Sequence, residues 1–260
     1  MADTDTPILE LRGVSKAFGP VQALAEADFE VRRGEVMALV GDNGAGKSTL
    51  IKCVAGIYSI DSGEVLFEGR PVHIHGPKDA ARLGVEVVYQ DLALCDNLDV
   101  VQNMYLGREA HDLLQRLKEA EMEHHTAETL KSLSVTTIRS IRLAVASLSG
   151  GQRQSVAVAR AVMWNSRVVI LDEPTAALGV AQTRQELDLV KRLATQGLSV
   201  VLVSHNLHDI FEVANRITVL RLGHNVGVYE REQTTQQKIV EAITAGVPTK
   251  VPGVAEAAQT

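Results

Sequence analysis

A glycine-rich segment between an apolar run and a helical pattern constrains the fold of this chain more than any other feature. Val36–Val40 is uninterrupted apolar sequence, typical of a buried strand, and residues 41–49 read Gly-Asp-Asn-Gly-Ala-Gly-Lys-Ser-Thr. This fits the spacing G-x-x-x-x-G-K-[ST], in which glycines let the backbone wrap around a phosphate at the N-terminus of a helix. The strand, the loop and the helix together predict an α/β fold.

Each position of this loop has an expected role at a phosphate. Backbone N–H groups are expected to bind phosphate oxygens at Gly41, Asp42, Asn43, Gly44, Ala45 and Gly46. We expect Lys47 to bridge the β- and γ-phosphates of a nucleotide, the Ser48 hydroxyl to bind Mg²⁺, and Thr49 to continue the cradle. The alternative is an ordinary glycine-rich turn, which the strand before it and the helix after it disfavour.

A second apolar run ends in two acidic residues. Residues 168–171 are followed by Asp172 and Glu173, and ligands in open α/β sheets bind at the carboxyl ends of strands. We expect Asp172 to hold Mg²⁺, directly or through water, and Glu173 to act as general base towards an attacking water. The alternative is a solvated strand end or a helix cap at Pro174, which the phosphate loop elsewhere in the chain disfavours.

Further apolar runs predict the layers around this centre. Residues 85–89 and 198–203 are predicted to be further strands. The segments 168–171 and 198–203 are near-continuous apolar, which favours a mainly parallel sheet covered on both faces. Residues 8–31 and 63–74 are more polar and alternate, which predicts a smaller antiparallel layer.

The stretch 108–149 contains neither Gly nor Pro and predicts a helical insertion. Leucine and alanine recur in it at roughly helical spacing, at Leu113, Leu117, Ala120, Ala127, Leu130 and Leu133. We place one domain at 7–246, with a core of 7–91 and 155–246, a helical subdomain at 92–154, and a flexible tail at 247–260.

Composition excludes several classes of function. The net charge is −6 and aromatics are 3% of the chain, which disfavours a surface that binds nucleic acid. Cys53 and Cys95 cannot form a disulfide framework, so a reducing compartment is expected. No apolar stretch approaches the roughly 20 residues that span a bilayer, and the acidic N-terminus is unlike a signal peptide. Any membrane role is therefore expected to act through a partner.

Residues 148–152, Leu-Ser-Gly-Gly-Gln, resemble the LSGGQ signature of ATP-binding cassette (ABC) proteins. The segment reads as a second anion cradle, with the Ser149 hydroxyl, flexible backbone at Gly150 and Gly151, and a helix start that includes Gln152. The alternative is an ordinary Ser-Gly-Gly helix cap. The resemblance covers about residues 9–246 and implies a P-loop NTPase with a RecA-like sheet, an antiparallel layer and a helical insertion.

The same resemblance implies roles for residues that carry no signal alone. Two cassettes of this family pack head to tail, so Ser149 of one copy would contact the γ-phosphate held by the other. Gln90 matches the glutamine that senses Mg²⁺ and takes part in catalysis. His205 matches the catalytic switch histidine, and Phe18 matches the aromatic residue that stacks on adenine. By themselves these would be a surface glutamine, a strand-end histidine and a core aromatic. Gly179 departs from the family, which often has aspartate there.

Residues 174–180, Pro-Thr-Ala-Ala-Leu-Gly-Val, and 103–109 resemble the ATPases of bacterial monosaccharide importers, and the single phosphate loop matches the single-cassette type such as fructose importers. This implies an ATPase that uses ATP and Mg²⁺, at the cytoplasmic face of the inner membrane. Its implied partners are a second copy, two membrane permease subunits and, indirectly, a periplasmic sugar-binding protein. The sugar is not encoded in these motifs.

Two other functions remain open at this point. One is a soluble cassette ATPase that remodels nucleic acid or ribosomes, which the single loop, the short insertion and the acidic charge disfavour. The other is an export ATPase with a separate membrane subunit.

Overall fold

The computed structural model describes residues 6–176 and 178–245, so the tail predicted at 247–260 lies outside the described residues. Its strands are β1 Leu9–Phe18, β2 Val21–Val31, β3 Val36–Val40, β4 Ser62–Phe67, β5 Arg70–Val72, β6 Val85–Val88, β7 Val168–Asp172, β8 Ser199–Val203, β9 Arg216–Arg221 and β10 His224–Glu230. Its helices are α1 Lys47–Val54, α2 Pro77–Leu83, α3 Val100–Tyr105, α4 Glu119–Ser132, α5 Gly150–Val162, α6 Val180–Thr195, α7 Leu207–Val213 and α8 Gln236–Ala245. Within these ranges no helix is long and apolar enough to cross a membrane.

The larger sheet has six strands in the order β10-β9-β3-β8-β7-β6. Strand β3 pairs in parallel with β8 and β9, and β7 pairs in parallel with β6 and β8, whereas β10 is antiparallel to β9. The predicted mainly parallel sheet is therefore confirmed. Its continuous apolar strands are explained by burial on both faces, since every residue of β3 and β8 is buried.

Alternate residues of these strands belong to different cores. Ala38 and Leu202 lie in a cluster with α5, α6 and α7, whereas Met37 and Val201 lie in a second cluster with α1 and the smaller sheet. Successive side chains of a strand point to opposite faces of the sheet, so one of the two clusters packs on each face of the larger sheet. The carboxyl ends of the strands are left as an open edge.

The smaller sheet is antiparallel, in the order β2-β1-β4-β5, as the alternating sequence predicts. It adjoins the larger sheet, where Asn225 Nδ2 of β10 donates to Asp28 O of β2 at 2.8 Å.

The segment between β6 and β7 is less helical than predicted. Leu113 and Leu117 lie outside any helix, and Leu113 is fully exposed. The reason is local, because the Asp112 carboxylate accepts from the backbone N–H groups of Leu114 and Arg116 and holds a turn there. Helix α4 begins only at Glu119. The predicted limits of the helical subdomain, 92–154, stay a prediction.

Candidate functional site

The strand order brings the predicted site residues to one edge of the larger sheet. The phosphate loop follows β3, His205 follows β8, Asp172 ends β7 with Glu173 directly after it, and Gln90 follows β6. These four strands are consecutive neighbours and all run in the same direction. Residues that are far apart in the chain therefore meet at the carboxyl edge, as expected for a ligand site in this kind of sheet.

The phosphate loop needs glycine at both of its ends. Gly41 has φ +153°, and a Cβ there would lie 2.2 Å from Leu220 O. Gly46 has φ +105°, and a Cβ there would lie 2.6 Å from Ala23 O. The loop is thus wedged between β9 and β2, and this close backbone packing leaves no room for a side chain at either position.

Lys47 begins α1 and turns its side chain back over the loop. Its Nζ donates to Gly41 O at 2.6 Å and to Asp42 O at 3.0 Å. Burial lowers the pKa of the Lys47 ammonium, and the negative charges of Glu173 and Asp172 oppose that shift. The cation therefore lies within electrostatic reach of both acidic residues at the end of β7.

Glu173 and His205 form a direct pair. His205 Nδ1 lies 2.8 Å from Glu173 Oε2, the Glu173 side chain is 18% exposed and that of His205 is 73% exposed. An ionised carboxylate only accepts hydrogen bonds, so this contact orients the histidine with its Nδ1 proton towards Glu173. The second carboxylate oxygen is left for another donor, such as a water.

The residues predicted to bind Mg²⁺ are compatible with that ion. Burial, followed by the charge of Glu173, raises the pKa of Asp172, and the cation Lys47 opposes the shift. Burial and the charge of Asp172 raise the pKa of Tyr89, the residue before the exposed Gln90. The described residues contain no cluster of three or more His, Cys, Asp or Glu that could hold a metal. Mg²⁺ commonly binds through one or two protein oxygens and substrate phosphates, so this sparse oxygen set fits.

The signature segment caps α5. Ser149 N donates to Gln152 Oε1 at 2.9 Å, and Gln152 N donates to Ser149 Oγ at 3.4 Å, a reciprocal capping box. Gln152 Nε2 also donates to Thr137 O at 2.7 Å, so its amide is occupied within the chain. Ser149 and Gly150 are exposed.

The signature packs against the segment that follows β7 rather than against the phosphate loop. A Cβ on Gly151 would lie 3.2 Å from Gln182 Cγ, and Gly179 N donates to Gln182 Oε1 at 2.9 Å. No hydrogen bond between described residues joins Ser149 to Lys47 or Glu173. One copy of the chain thus brings together Lys47, Asp172, Glu173 and His205 without its own signature.

Phe18 ends β1 and is 41% exposed. Its ring meets Tyr58 edge-on, with centroids 5.0 Å apart, and Lys16 Nζ lies 5.6 Å from its centroid. Strand β2, which follows Phe18, supplies the Ala23 carbonyl that packs on Gly46. Stacking of Phe18 on adenine stays a prediction.

Two buried polar pairs near the site were missed by the sequence analysis. Thr175 Oγ1 donates to Asp209 Oδ2 at 2.7 Å, and Gln154 Nε2 donates to Glu186 Oε1 at 3.4 Å. Asp209 and Glu186 each stand on the buried face of a helix. An acidic residue among the apolar positions of a helix is a usable signal, because a buried carboxylate is rare unless it is paired.

Comparison with known proteins identifies the family of the chain. Residues 24–176 match the family described as ABC transporter. The fructose import ATP-binding protein FrcA of Rhizobium meliloti is 45% identical over 244 residues, which cover 92% of this chain and 94% of that protein. The xylose/arabinose import ATP-binding protein XylG of Sulfolobus acidocaldarius is 44% identical over 238 residues, with 92% of this chain and 94% of that protein covered.

A solved structure shows the same fold. The dimeric structure of a bacterial ABC transporter cassette matches with a TM-score of 0.73 at 24% identity, covering 86% of this chain and 98% of that one. The family match spans the phosphate loop, the signature and the end of β7, and both relatives match over most of their length. The chain therefore belongs to the ABC transporter family of ATP-binding cassettes.

Proposed function

We propose that this chain is the ATP-hydrolysing subunit of a bacterial ABC importer, which couples ATP binding and hydrolysis to uptake of a monosaccharide through a separate permease. The observation that carries the hydrolytic part is the contact between Glu173 and His205 beside Lys47. The import part is supported by two relatives named as sugar import ATP-binding proteins. Their sugars differ, fructose in one and xylose or arabinose in the other, so the substrate is a hexose or pentose.

The proposed division of labour follows from the positions of the side chains. The N–H groups of the loop from Gly41 to Gly46 would bind the phosphates, and the Lys47 cation, which lies within electrostatic reach of Glu173 and Asp172, would neutralise them. Glu173 accepts the proton of the attacking water on the oxygen that His205 leaves free. The exposed side chain of His205 binds the γ-phosphate, and its contact with Glu173 holds that carboxylate in place.

Mg²⁺ would be held by the Ser48 hydroxyl, Asp172 and Gln90. When bound, it would offset the negative charge of the phosphates during transfer. Asp172 suits this role because it ends a buried strand and its carboxylate accepts no hydrogen bond from a described residue that would keep a cation away. Gln90 sits on the neighbouring strand end with an exposed side chain.

We also propose that two copies act together. Ser149, Gly150 and Gly151 form a capped helix N-terminus with exposed residues, apart from the Lys47 cluster of their own chain. A helix N-terminus is suited to binding a phosphate, so a head-to-tail partner would complete each site. The structural relative with this fold is itself described as dimeric.

The remaining partners and the location follow from import. Two permease subunits would cross the membrane and contact the segment from Gln90 through α4. A periplasmic sugar-binding protein would deliver the sugar, and no nucleic acid is required. The chain would therefore work as a peripheral subunit at the cytoplasmic face of the inner membrane, which fits the absence of a membrane-crossing helix among the described residues.

Glu173→Gln tests the hydrolytic role. The amide keeps the size of the side chain but cannot accept a proton from water, so kcat for ATP hydrolysis should fall by about 100-fold or more. ATP binding should persist, and the closed dimer should accumulate in size-exclusion runs with ATP. The matched control is Glu128→Gln, because that carboxylate pairs with His124 on the exposed face of α4. Wild-type turnover in Glu173→Gln would overturn the assignment.

The transport role needs a separate measurement. Uptake of labelled hexoses and pentoses should be compared in cells with and without this gene, and with the Glu173→Gln variant. Loss of uptake of one sugar in both deficient strains is the expected result. Unchanged uptake of every sugar would remove the import proposal while leaving the ATPase assignment intact.

A further inference from the structure

The two segments that carry the hydrolytic pair are joined a second time, beneath the site. Thr175 follows Glu173 by two positions, and Asp209 follows His205 by four positions on the first turn of α7. Thr175 Oγ1 donates to Asp209 Oδ2 at 2.7 Å. The contacts between Glu173 and His205 and between Thr175 and Asp209 thus form two parallel links between the same two stretches of chain.

The second link is buried whereas the first is open to solvent. Thr175 is 9% exposed and Asp209 is 2% exposed, whereas the side chain of His205 is 73% exposed. A hydrogen bond to a carboxylate is stronger than one between neutral groups, and it is screened less when it is buried. The buried link therefore resists the movements that the exposed pair cannot resist alone.

The buried link adjoins a strained backbone conformation at Glu173. Glu173 has φ +52°, a left-handed conformation that is strained for a residue with a side chain. On its N-terminal side, Glu173 N donates to Val203 O at 2.8 Å, which ties it to the end of β8. On its C-terminal side, the next tie to the same region is Thr175 on Asp209. A strained residue keeps its conformation when its neighbours are fixed on both sides.

We propose that Thr175 and Asp209 are a positioning pair, which holds the Glu173 carboxylate in register with His205 for water activation. The inference rests on the hydrolytic function proposed above and deepens it. Both side chains are buried, so neither is placed to contact the phosphates or the water. They act through the backbone of Glu173 and through α7.

Thr175→Val is the primary test, since it removes the hydroxyl and keeps the shape. A small displacement of the base affects the transition state more than nucleotide binding, so kcat should fall at least about tenfold. KM for ATP and the Kd measured by calorimetry should stay within about twofold of wild type. Thr175→Ser restores the hydroxyl and should recover most of kcat.

A second variant separates positioning from folding. Thr175→Val leaves the Asp209 carboxylate buried without its donor, which destabilises the protein. In the double variant Thr175→Val with Asp209→Leu, both partners are apolar, so the thermal midpoint should rise towards wild type while kcat stays low. Thr218→Val is the matched control, because its buried hydroxyl donates to the sulfur of Met37, at 3.4 Å, and to no other described residue. Its kcat should be unchanged.

The outcomes distinguish this inference from the function on which it rests. If wild-type protein fails to hydrolyse ATP, the proposed function itself is wrong. If wild-type protein hydrolyses ATP and Glu173→Gln does not, but the folded double variant keeps wild-type kcat, the positioning pair is wrong and the function stands. A rise in KM with unchanged kcat, or no recovery in Thr175→Ser, would also overturn the pair.

Discussion

At the scale of single residues, Lys47 stands between a glycine-rich backbone and two carboxylates. Its Nζ donates to the Gly41 and Asp42 carbonyls, and the charges of Glu173 and Asp172 act on it. Without this cation, the site would present acidic groups to an anionic ligand. Lys47 therefore makes the edge of the sheet suitable for phosphate.

Lys47→Ala should weaken ATP binding about 10- to 100-fold, since a hydrogen bond to a charged group contributes about 1.5–3 kcal/mol. Isothermal calorimetry with the wild type and the variant measures this. Lys191→Ala is the control, because Lys191 pairs with Glu212 at 2.9 Å away from the loop. An unchanged Kd in a folded Lys47→Ala protein would contradict the proposed role.

A site residue can be predicted from the sequence when the pattern that marks it is local, and not when it depends on a partner far away in the chain. The phosphate loop, Asp172 and Glu173 follow from local spacing after apolar strands, whereas the roles of His205 and Gln90 are implied by the resemblance to ATP-binding cassettes. The bond from Thr175 to Asp209 joins residues 34 positions apart through a fold that local patterns do not specify. An acidic residue on an apolar helix face can be noticed in the sequence, but its partner is visible only once the strand order is known.

At the scale of elements, α5 and α6 contact each other through a buried acidic residue of α6. Glu186 on α6 is 3% exposed, and its carboxylate accepts from Gln154 Nε2 of α5 at 3.4 Å. Burial raises the pKa of Glu186 to about 7, and the hydrogen bond from Gln154 opposes the shift. The helix that begins with the signature is therefore packed on a group that titrates near neutral pH.

The raised pKa of Glu186 makes the free energy of unfolding depend on pH. The folded protein keeps the Glu186 proton to about pH 7, whereas the unfolded chain releases it near the ordinary value of 4.5. Stability from this group is complete below the unfolded pKa and is lost as pH rises towards the folded pKa, by up to about 1.4 kcal/mol per pH unit.

Glu186→Gln should remove this contribution, because the amide carries no proton equilibrium and still offers an oxygen to Gln154. Urea unfolding of wild type and variant should be compared from pH 5 to pH 8.5. The variant should gain stability relative to wild type as pH rises and then level off above pH 7. Glu128→Gln, on the exposed face of α4, should run parallel to wild type. A constant difference between wild type and Glu186→Gln across this range would contradict the buried, protonated carboxyl.

The elements themselves were predictable to different degrees. Strands β3, β7 and β8 are apolar because both faces are covered, so sequence alone places them. The leucines at 113 and 117 mimic a helical repeat, but the turn around Asp112 competes with a helix and leaves them exposed. The spacing of apolar residues predicts a helix but does not show whether a hydrophobic core is present for those residues to pack against.

At the scale of the whole molecule, the proposed dimer divides each site between two chains. Lys47 and Glu173 lie on one chain, and Ser149, Gly150 and Gly151 of the other chain would complete the site. In a closed head-to-tail pair, the two sites are equivalent and each uses both protomers. Variants on opposite sides of the interface should therefore complement each other.

Mixing Lys47→Ala protein with Ser149→Arg protein should restore ATP hydrolysis. In a mixed dimer, one site has an intact Lys47 and an intact Ser149, while the other site carries both changes. Random pairing of equal amounts then yields about a quarter of the wild-type number of working sites. Turnover should be measured against each variant alone, with association verified by light scattering.

The matched control mixes Lys47→Ala with Glu173→Gln. Both changes lie on the same side of the site, so every site in a mixed dimer has one or the other, and no activity should return. Rescue in the first mixture alone is possible only if the signature works across the interface, because subunit exchange by itself treats both mixtures alike. If neither mixture recovers while folded protomers associate, or if both recover, the site does not have this shared architecture.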